Sequence, residues 1–177
     1  MDDGEKARVF ELQTKRLRLI ALDVENLRLS LEDPRQMEKN LGLQTDTAVL
    51  EGEVRVAVEQ MLAGVSMDEV NYLWYTHWQI VLKEENRSIG GFCFKGPPSE
   101  TGEVEVGYGI EPEYQGKGYM SEALEEIIRW ALEQPGVTAV VSETGKSNIA
   151  SQRVLQKAGF AQYRETEGHL WWRICRE

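Results

Sequence analysis

Polar and apolar residues alternate along Lys15-Arg16-Leu17-Arg18-Leu19-Ile20, the period-two pattern of a strand with one buried face, which starts near Thr14. Residues 1 to 12 show no such order and read as a loosely ordered lead. Asp23 is placed to cap a short helix running through Leu31, and Pro34 suits the first turn of another reaching about Leu41. Residues 53 to 64 begin with a Val-rich alternation and end with a helical pattern; a helix is expected there. Trp78–Leu82 and Ile89–Lys95 flank the polar turn Glu84–Arg87 as a hairpin, and Glu103–Ile110 alternates strictly as a third antiparallel strand. Met120, Leu124, Ile127, Ile128, Ala131 and Leu132 then fall on one helical stripe, which makes about 118 to 133 the longest helix. Thr138–Ser142 reads as a short buried strand, Asn148 to Ala158 as a second amphipathic helix stopped by Gly159, and Gly168 to Arg176 as a closing strand. Strand, long helix and strand in succession imply a parallel crossover after antiparallel hairpins. The sheet should therefore be mixed, mostly antiparallel and flanked by helices, an α/β fold.

Composition narrows the function. The chain of 177 residues, without internal repeat or linker, reads as a single domain over 1–177. Thirty Asp and Glu against 20 Lys and Arg give a formal charge of −10, which argues against nucleic acid and anionic membrane surfaces as partners. Cys93 and Cys175 lie too far apart in sequence for a metal knuckle and are too few for a disulfide framework; with only His77 and His169 besides, no metal site is expected. No apolar run is long enough for a leader or a membrane span, so a cytoplasmic protein is expected. Trp74, Tyr75, His77 and Trp78 read first as core, with His77 structural, and second as the wall of a pocket.

The chemistry concentrates in Gln115-Gly116-Lys117-Gly118-Tyr119-Met120-Ser121, where two glycines join a strand end to the first turn of the longest helix. A helix N-terminus carries unpartnered amides and about half a positive charge, so glycines that permit close approach make a cradle for phosphate or pyrophosphate, with Lys117 adding a full charge. The competing reading is a tight turn that needs glycine only for its dihedrals. A dinucleotide fingerprint fails because its third glycine is replaced by Ser121 and there are too few βα units. A P-loop ending at Gly145-Lys146-Ser147 fails because Val140 stands where its first glycine is required.

A third pattern fits. Gln115-Gly116-Lys117-Gly118-Tyr119 after the acidic alternating strand Glu103–Ile110 resembles the acetyl-CoA motif of the GNAT superfamily of N-acetyltransferases, in particular its Rim-type branch of ribosomal-protein N-terminal acetyltransferases. Met120 departs from the Gly or Ala that ends this motif. Asn148-x-x-Ser151-x-x-Val154-Leu155-x-Lys157-x-Gly159-Phe160 is similar to the branch's second cofactor motif, and Asn148, Ser151 and Leu155 share a helix face that can turn to the pantetheine arm, with Asn148 also a helix cap.

The resemblance implies a GNAT-like fold and acetyl-CoA as cosubstrate, with acetyl transfer to a primary amine by direct attack in a ternary complex. The acceptor is a small metabolite or a protein N-terminus. It implies strand amides at Tyr108, Gly109 and Ile110 for the pantetheine and acetyl carbonyl, and loop contacts from Gln115, Gly116, Lys117, Gly118, Tyr119 and Met120. Glu105, in the branch's Glu-hydrophobic-Gly-Tyr pattern, is the candidate general base. The tyrosine that many members place in the second-motif helix is Leu155 here, and Ser151 takes its place as candidate proton donor. The departures at Met120 and Leu155 leave a second reading, a degenerate coenzyme-A-binding module without transfer. Acceptor selectivity should lie in residues 22 to 75, where no motif recurs, and a homodimer is admitted among the partners.

Overall fold

The computed structural model describes residues 9–46 and 48–177. Its strands are β1 (Glu11–Gln13), β2 (Leu17–Ala21), β3 (His77–Leu82), β4 (Arg87–Phe94), β5 (Glu103–Ile110), β6 (Ala139–Gly145), β7 (Ala161–Glu165) and β8 (His169–Cys175). Its helices are α1 (Val24–Glu32), α2 (Pro34–Leu41), α3 (Gly52–Met67), α4 (Tyr119–Glu133) and α5 (Ile149–Lys157). The strands form one sheet in the order β1-β2-β3-β4-β5-β6-β8-β7. Neighbours are antiparallel except β5 and β6, which run parallel through the α4 crossover, as the strand–helix–strand pattern requires.

Local chemistry sets the helix ends where the sequence places them. The Asp23 side chain accepts the Asn26 N–H at 2.8 Å at the start of α1, and Pro34 opens α2. Gly159, at φ 94°, ends the α5 segment in a conformation that costs an L side chain about 1–2 kcal/mol. Beyond it the sheet gains an edge strand the hydrophobic pattern does not show, β7, whose five residues are all exposed.

The sheet buries both faces. On one, Leu17, Leu19, Trp78, Phe92, Val104, Val106 and Val140 pack against Leu124, Ile127 and Ala131 of α4 and Leu155 of α5. On the other, Ile20, Leu22 and Val81 pack against Leu27, Leu31, Met37 and Val58 of α1, α2 and α3. Trp74 and Trp78 belong to the first core, as the aromatic cluster suggests. The reading of 1–12 as a loose lead is corrected for its last residues: Glu11 and Leu12 pair with β2, and the Phe10 ring meets Trp78 edge-on at 5.7 Å. Residues 1–8 lie outside the described part.

One polar clamp positions α4. The Glu122 carboxylate, in the helix's first turn, accepts the Thr14 hydroxyl at 2.6 Å, the Arg16 N–H at 2.9 Å and the Arg16 Nε–H at 2.7 Å. Burial pushes this carboxyl up, but these hydrogen bonds outweigh it and hold it below the usual carboxylate range. The turn between β1 and β2 and the N-terminus of α4 are thus tied together beside the glycine loop.

Candidate active site

β5 and β6 pair only over Glu103–Glu105 with Ala139–Val141; beyond that, β5 continues on β4 and β6 on β8. The antiparallel ladder fixes which backbone groups enter the resulting gap. Lys95 N–H donates to Glu105 O and Glu111 N–H to Ile89 O, so the odd-numbered residues of β5 exchange hydrogen bonds with β4. The N–H and C=O groups of Val106, Tyr108 and Ile110 therefore face away from β4, towards β6. Ser142 Oγ donates to the Val106 carbonyl at 2.9 Å, and Gln115 Nε2 donates to that of Ile110 at 3.2 Å. Tyr108 is left with both backbone groups directed into the gap. Gly109 is not: its backbone faces Gly91, in contrast to the expected run of three strand donors.

A cavity of about 480 Å³ lies at this gap, between the end of β5, the glycine loop and the start of α5. Gly116 (φ 75°) and Gly118 (φ 81°) both adopt the left-handed conformation, and a Cβ at Gly116 would meet nothing within 4 Å. Gly118 is the residue before α4 and has no side chain to cap it, so the first-turn amides of α4 open towards the cavity. Met120 is buried in the core, which removes its bulk from the loop despite the departure from Gly or Ala. Asn148 caps α5, accepting the Ser151 N–H at 3.2 Å, and lines the cavity as well. Leu155 does not join that face; it is buried in the core, and Val154 lines the cavity instead.

The cations differ from expectation. Lys117 Nζ lies over the Tyr114 ring, 5.5 Å from its centroid, and Lys117 is not among the cavity residues. Positive charge comes instead from Arg153 and Lys157 of α5 and from Arg16, whose Nη1 donates to the Lys117 carbonyl at 3.1 Å and whose guanidinium covers the Tyr119 ring at 4.4 Å. Arg16 escaped the sequence reading because it reaches the loop only through the fold, from the turn between β1 and β2.

The Tyr108 side chain crosses to α5, its hydroxyl 2.6 Å from Ser151 Oγ. Burial raises the phenol, with the Ser151 hydrogen bond opposing, so Tyr108 keeps its proton. With Leu155 in the helix position, the strand–helix packing brings a tyrosine hydroxyl to α5 from β5 instead.

On the other face of the sheet a second cavity, of about 470 Å³, lies beneath α2 and α3 and over β3, β4 and β5. Tyr108 and Gly109 line both cavities. Glu105 lies on this second face, bonded to Lys95 Nζ at 2.7 Å, with Glu143 of β6 3.7 Å from the same ammonium. Desolvation lowers Lys95, but the Glu105 hydrogen bond and both carboxylate charges prevail and raise it, so it stays cationic.

His77, which the sequence suggests is structural, presents its ring to this cavity and packs on Gly91, where a Cβ would lie 2.3 Å from the imidazole. Burial holds it down to about 4. An unfolded histidine titrates near 6.5, so between these values the unfolded chain takes up a proton that the fold refuses. Stability is therefore complete above about pH 6.5 and falls by about 2 kcal/mol by pH 5. Urea midpoints at pH 5 and 7 should show this difference, and His77→Gln should flatten it.

Comparison with known proteins agrees with this geometry. The model of the GNAT acetyltransferase domain matches residues 16–161. YjdG of Bacillus subtilis (strain 168), an uncharacterized N-acetyltransferase, is 28% identical over 161 residues, which cover 91% of this chain and 95% of that one. Among solved structures, the ribosomal-protein-S5-alanine acetyltransferase of Vibrio fischeri has a TM-score of 0.66 at 18% identity, covering 94% of this chain and 96% of that one. The ribosomal L7/L12 α-N-protein acetyltransferase RimL in complex with coenzyme A has a TM-score of 0.63 at 14% identity, covering 94% and 98%. At these identities the structural likeness is one of fold, whereas the family match spans most of the sequence. The glycine-loop cradle, the parted strands and this match together make the chain a member of the GNAT family, an N-acetyltransferase with acetyl-CoA as its acetyl donor.

Proposed function

We propose that the protein transfers the acetyl group to a primary amine by direct attack in a ternary complex, with Glu105 as general base and the Tyr108–Ser151 hydroxyl pair as proton source for the departing thiolate. The observation that carries this reading is that two cavities on opposite faces of the sheet share Tyr108 and Gly109. Donor and acceptor can then approach one point from two sides. The residues present fit acetyl-CoA: the amides and glycines of the 116–121 loop suit a diphosphate, with Arg153 and Lys157 to balance its charge and Arg16, paired with Glu122, beside them. The Tyr108 backbone groups suit an amide-bearing arm. When bound, acetyl-CoA supplies a thioester already activated for acyl transfer.

A free alkyl amine with a pKa of roughly 10 is mostly protonated at neutral pH, so a base must take its proton directly or through one water. Glu105 stands on the acceptor face at the mouth of the gap. Lys95 orients its carboxylate and Glu143 shares the ammonium. On the donor face, Ser151 and Tyr108 each hold a hydroxyl proton, and their mutual hydrogen bond lets either replace the other's proton. A place in the Rim-type branch is part of this reading, supported by the Glu105-Val106-Gly107-Tyr108 pattern, by Ser151 and by the fold of the neighbours.

The test is a thiol-release assay over a panel of primary amines, run beside calorimetry with acetyl-CoA. Micromolar binding with amine-dependent release of coenzyme A is expected. Binding without release would return the chain to the degenerate-module reading, and no binding at millimolar ligand would overturn both. Ser151→Ala and Tyr108→Phe should each lower kcat by about tenfold, since one hydroxyl remains, and the double variant by about 10²-fold.

A further inference from the structure

We infer that the acceptor is a small amphipathic amine: a primary amine on an apolar body, with no carboxylate next to the nitrogen. This deepens the proposed function and rests on it. The acceptor-face cavity of about 470 Å³ falls within the range of small-molecule sites. Among the described residues, none that lines it is Asp, Glu, Lys or Arg, although 28% of the chain is charged. Met37, Val54, Val58 and Met61 make its helical wall, with Leu50 from the segment before α3.

Two polar side-chain atoms of the lining are committed within the protein. The Ser30 hydroxyl donates to the Leu27 carbonyl at 2.6 Å, and the Gln79 side-chain oxygen accepts from Ser88. His77 is neutral across the physiological range, and burial raises the Cys93 thiol so that it too carries no charge. A charged body placed here would give up water without meeting an opposite charge, whereas an apolar one gains from leaving it.

Charge is confined to one end. Along β4 and β5, the next residues on the same face after Cys93 and Gly107 are Lys95 and Glu105, and Glu143 joins them from β6. One ammonium against two carboxylates leaves a net negative site, which attracts a substrate cation and repels a substrate carboxylate. This end adjoins the gap. The amine therefore points to Glu105 and the body lies under α2 and α3.

The experiment compares linear alkylamines from propyl to hexyl, 2-phenylethylamine, phenylalanine and ethanolamine. It measures thiol release at saturating acetyl-CoA and, separately, calorimetric binding of each amine to the coenzyme A complex. kcat/KM should rise about fourfold per methylene, and 2-phenylethylamine should exceed phenylalanine by at least about tenfold. Ala57 lies at an exposed helix position that also lines the cavity, so replacing it should not disturb folding. Ala57→Glu puts a carboxylate into that apolar wall and should weaken the apolar amines by about tenfold, with acetyl-CoA affinity unchanged. Turnover with a flat or reversed preference overturns the inference and leaves the transferase reading standing. Apolar preference in binding without any turnover overturns the transferase reading and, with it, the acceptor inference. Neither binding nor turnover with any amine overturns both.

Discussion

Glu105→Gln lowers kcat by at least about 10²-fold with acetyl-CoA affinity unchanged, the expected result if this carboxylate takes the proton from the attacking amine. The substitution keeps the size and the hydrogen-bonding outline of the side chain, and β5 keeps its backbone pairing with β4, so loss of fold is not a competing explanation. Glutamine cannot accept a proton at neutral pH. Part of the loss should return at high pH, where more of the amine arrives already neutral; a purely structural role for Glu105 would show no such recovery. Stopped-time thiol release between pH 6.5 and 9.5 measures both. A loss under tenfold, or a profile parallel to that of the unaltered enzyme, would move the base elsewhere, with Glu143 the next carboxylate at the same ammonium.

Gly118→Glu abolishes acetyl-CoA binding at millimolar ligand, a second expected result with two separable causes. At φ 81°, any side chain strains the loop by about 1–2 kcal/mol. A Cβ there also lies 3.4 Å from Arg16 Nη2 and 3.9 Å from Lys157 Nζ, so a glutamate carboxylate would pair with the cations offered to the diphosphate. Gly118→Ala carries the strain alone and should weaken binding by roughly tenfold, which leaves the remaining loss to charge. Calorimetry with both variants, and a thermal melt to show that each folds, gives the comparison. Retention of normal affinity by Gly118→Glu would sink the cradle as the diphosphate site.

Much of this arrangement is legible in the sequence because it is local. The α4 stripe, the strict alternation of β5, the Asp23 and Asn148 caps and the paired glycines each lie within a short window. β7 escapes because all of its residues are exposed and no buried face imposes a period. β1 is three residues at the sheet's edge, too short for alternation to register. The acceptor wall is hidden for another reason. It joins α1, α2 and α3 to β3, β4 and β5 across the sheet, and α3 carries Val54 and Val56 exposed, so its composition does not announce which side is covered. The Tyr108–Ser151 pair and the Lys95–Glu105–Glu143 group likewise depend on strand register and crossover packing, with no spacing in the chain to signal them.

The short parallel ladder between β5 and β6 has a thermodynamic corollary. Backbone cohesion between the two halves of the sheet is narrowest there, and a coenzyme seated as proposed, against Tyr108 on one half and Asn148 and Ser151 on the other, would brace them like a wedge glued on both sides. At a hundredfold excess over its dissociation constant such a ligand adds about 2.7 kcal/mol to the folded state. The resilience of this protein to heat is thereby coupled to how much acyl donor surrounds it.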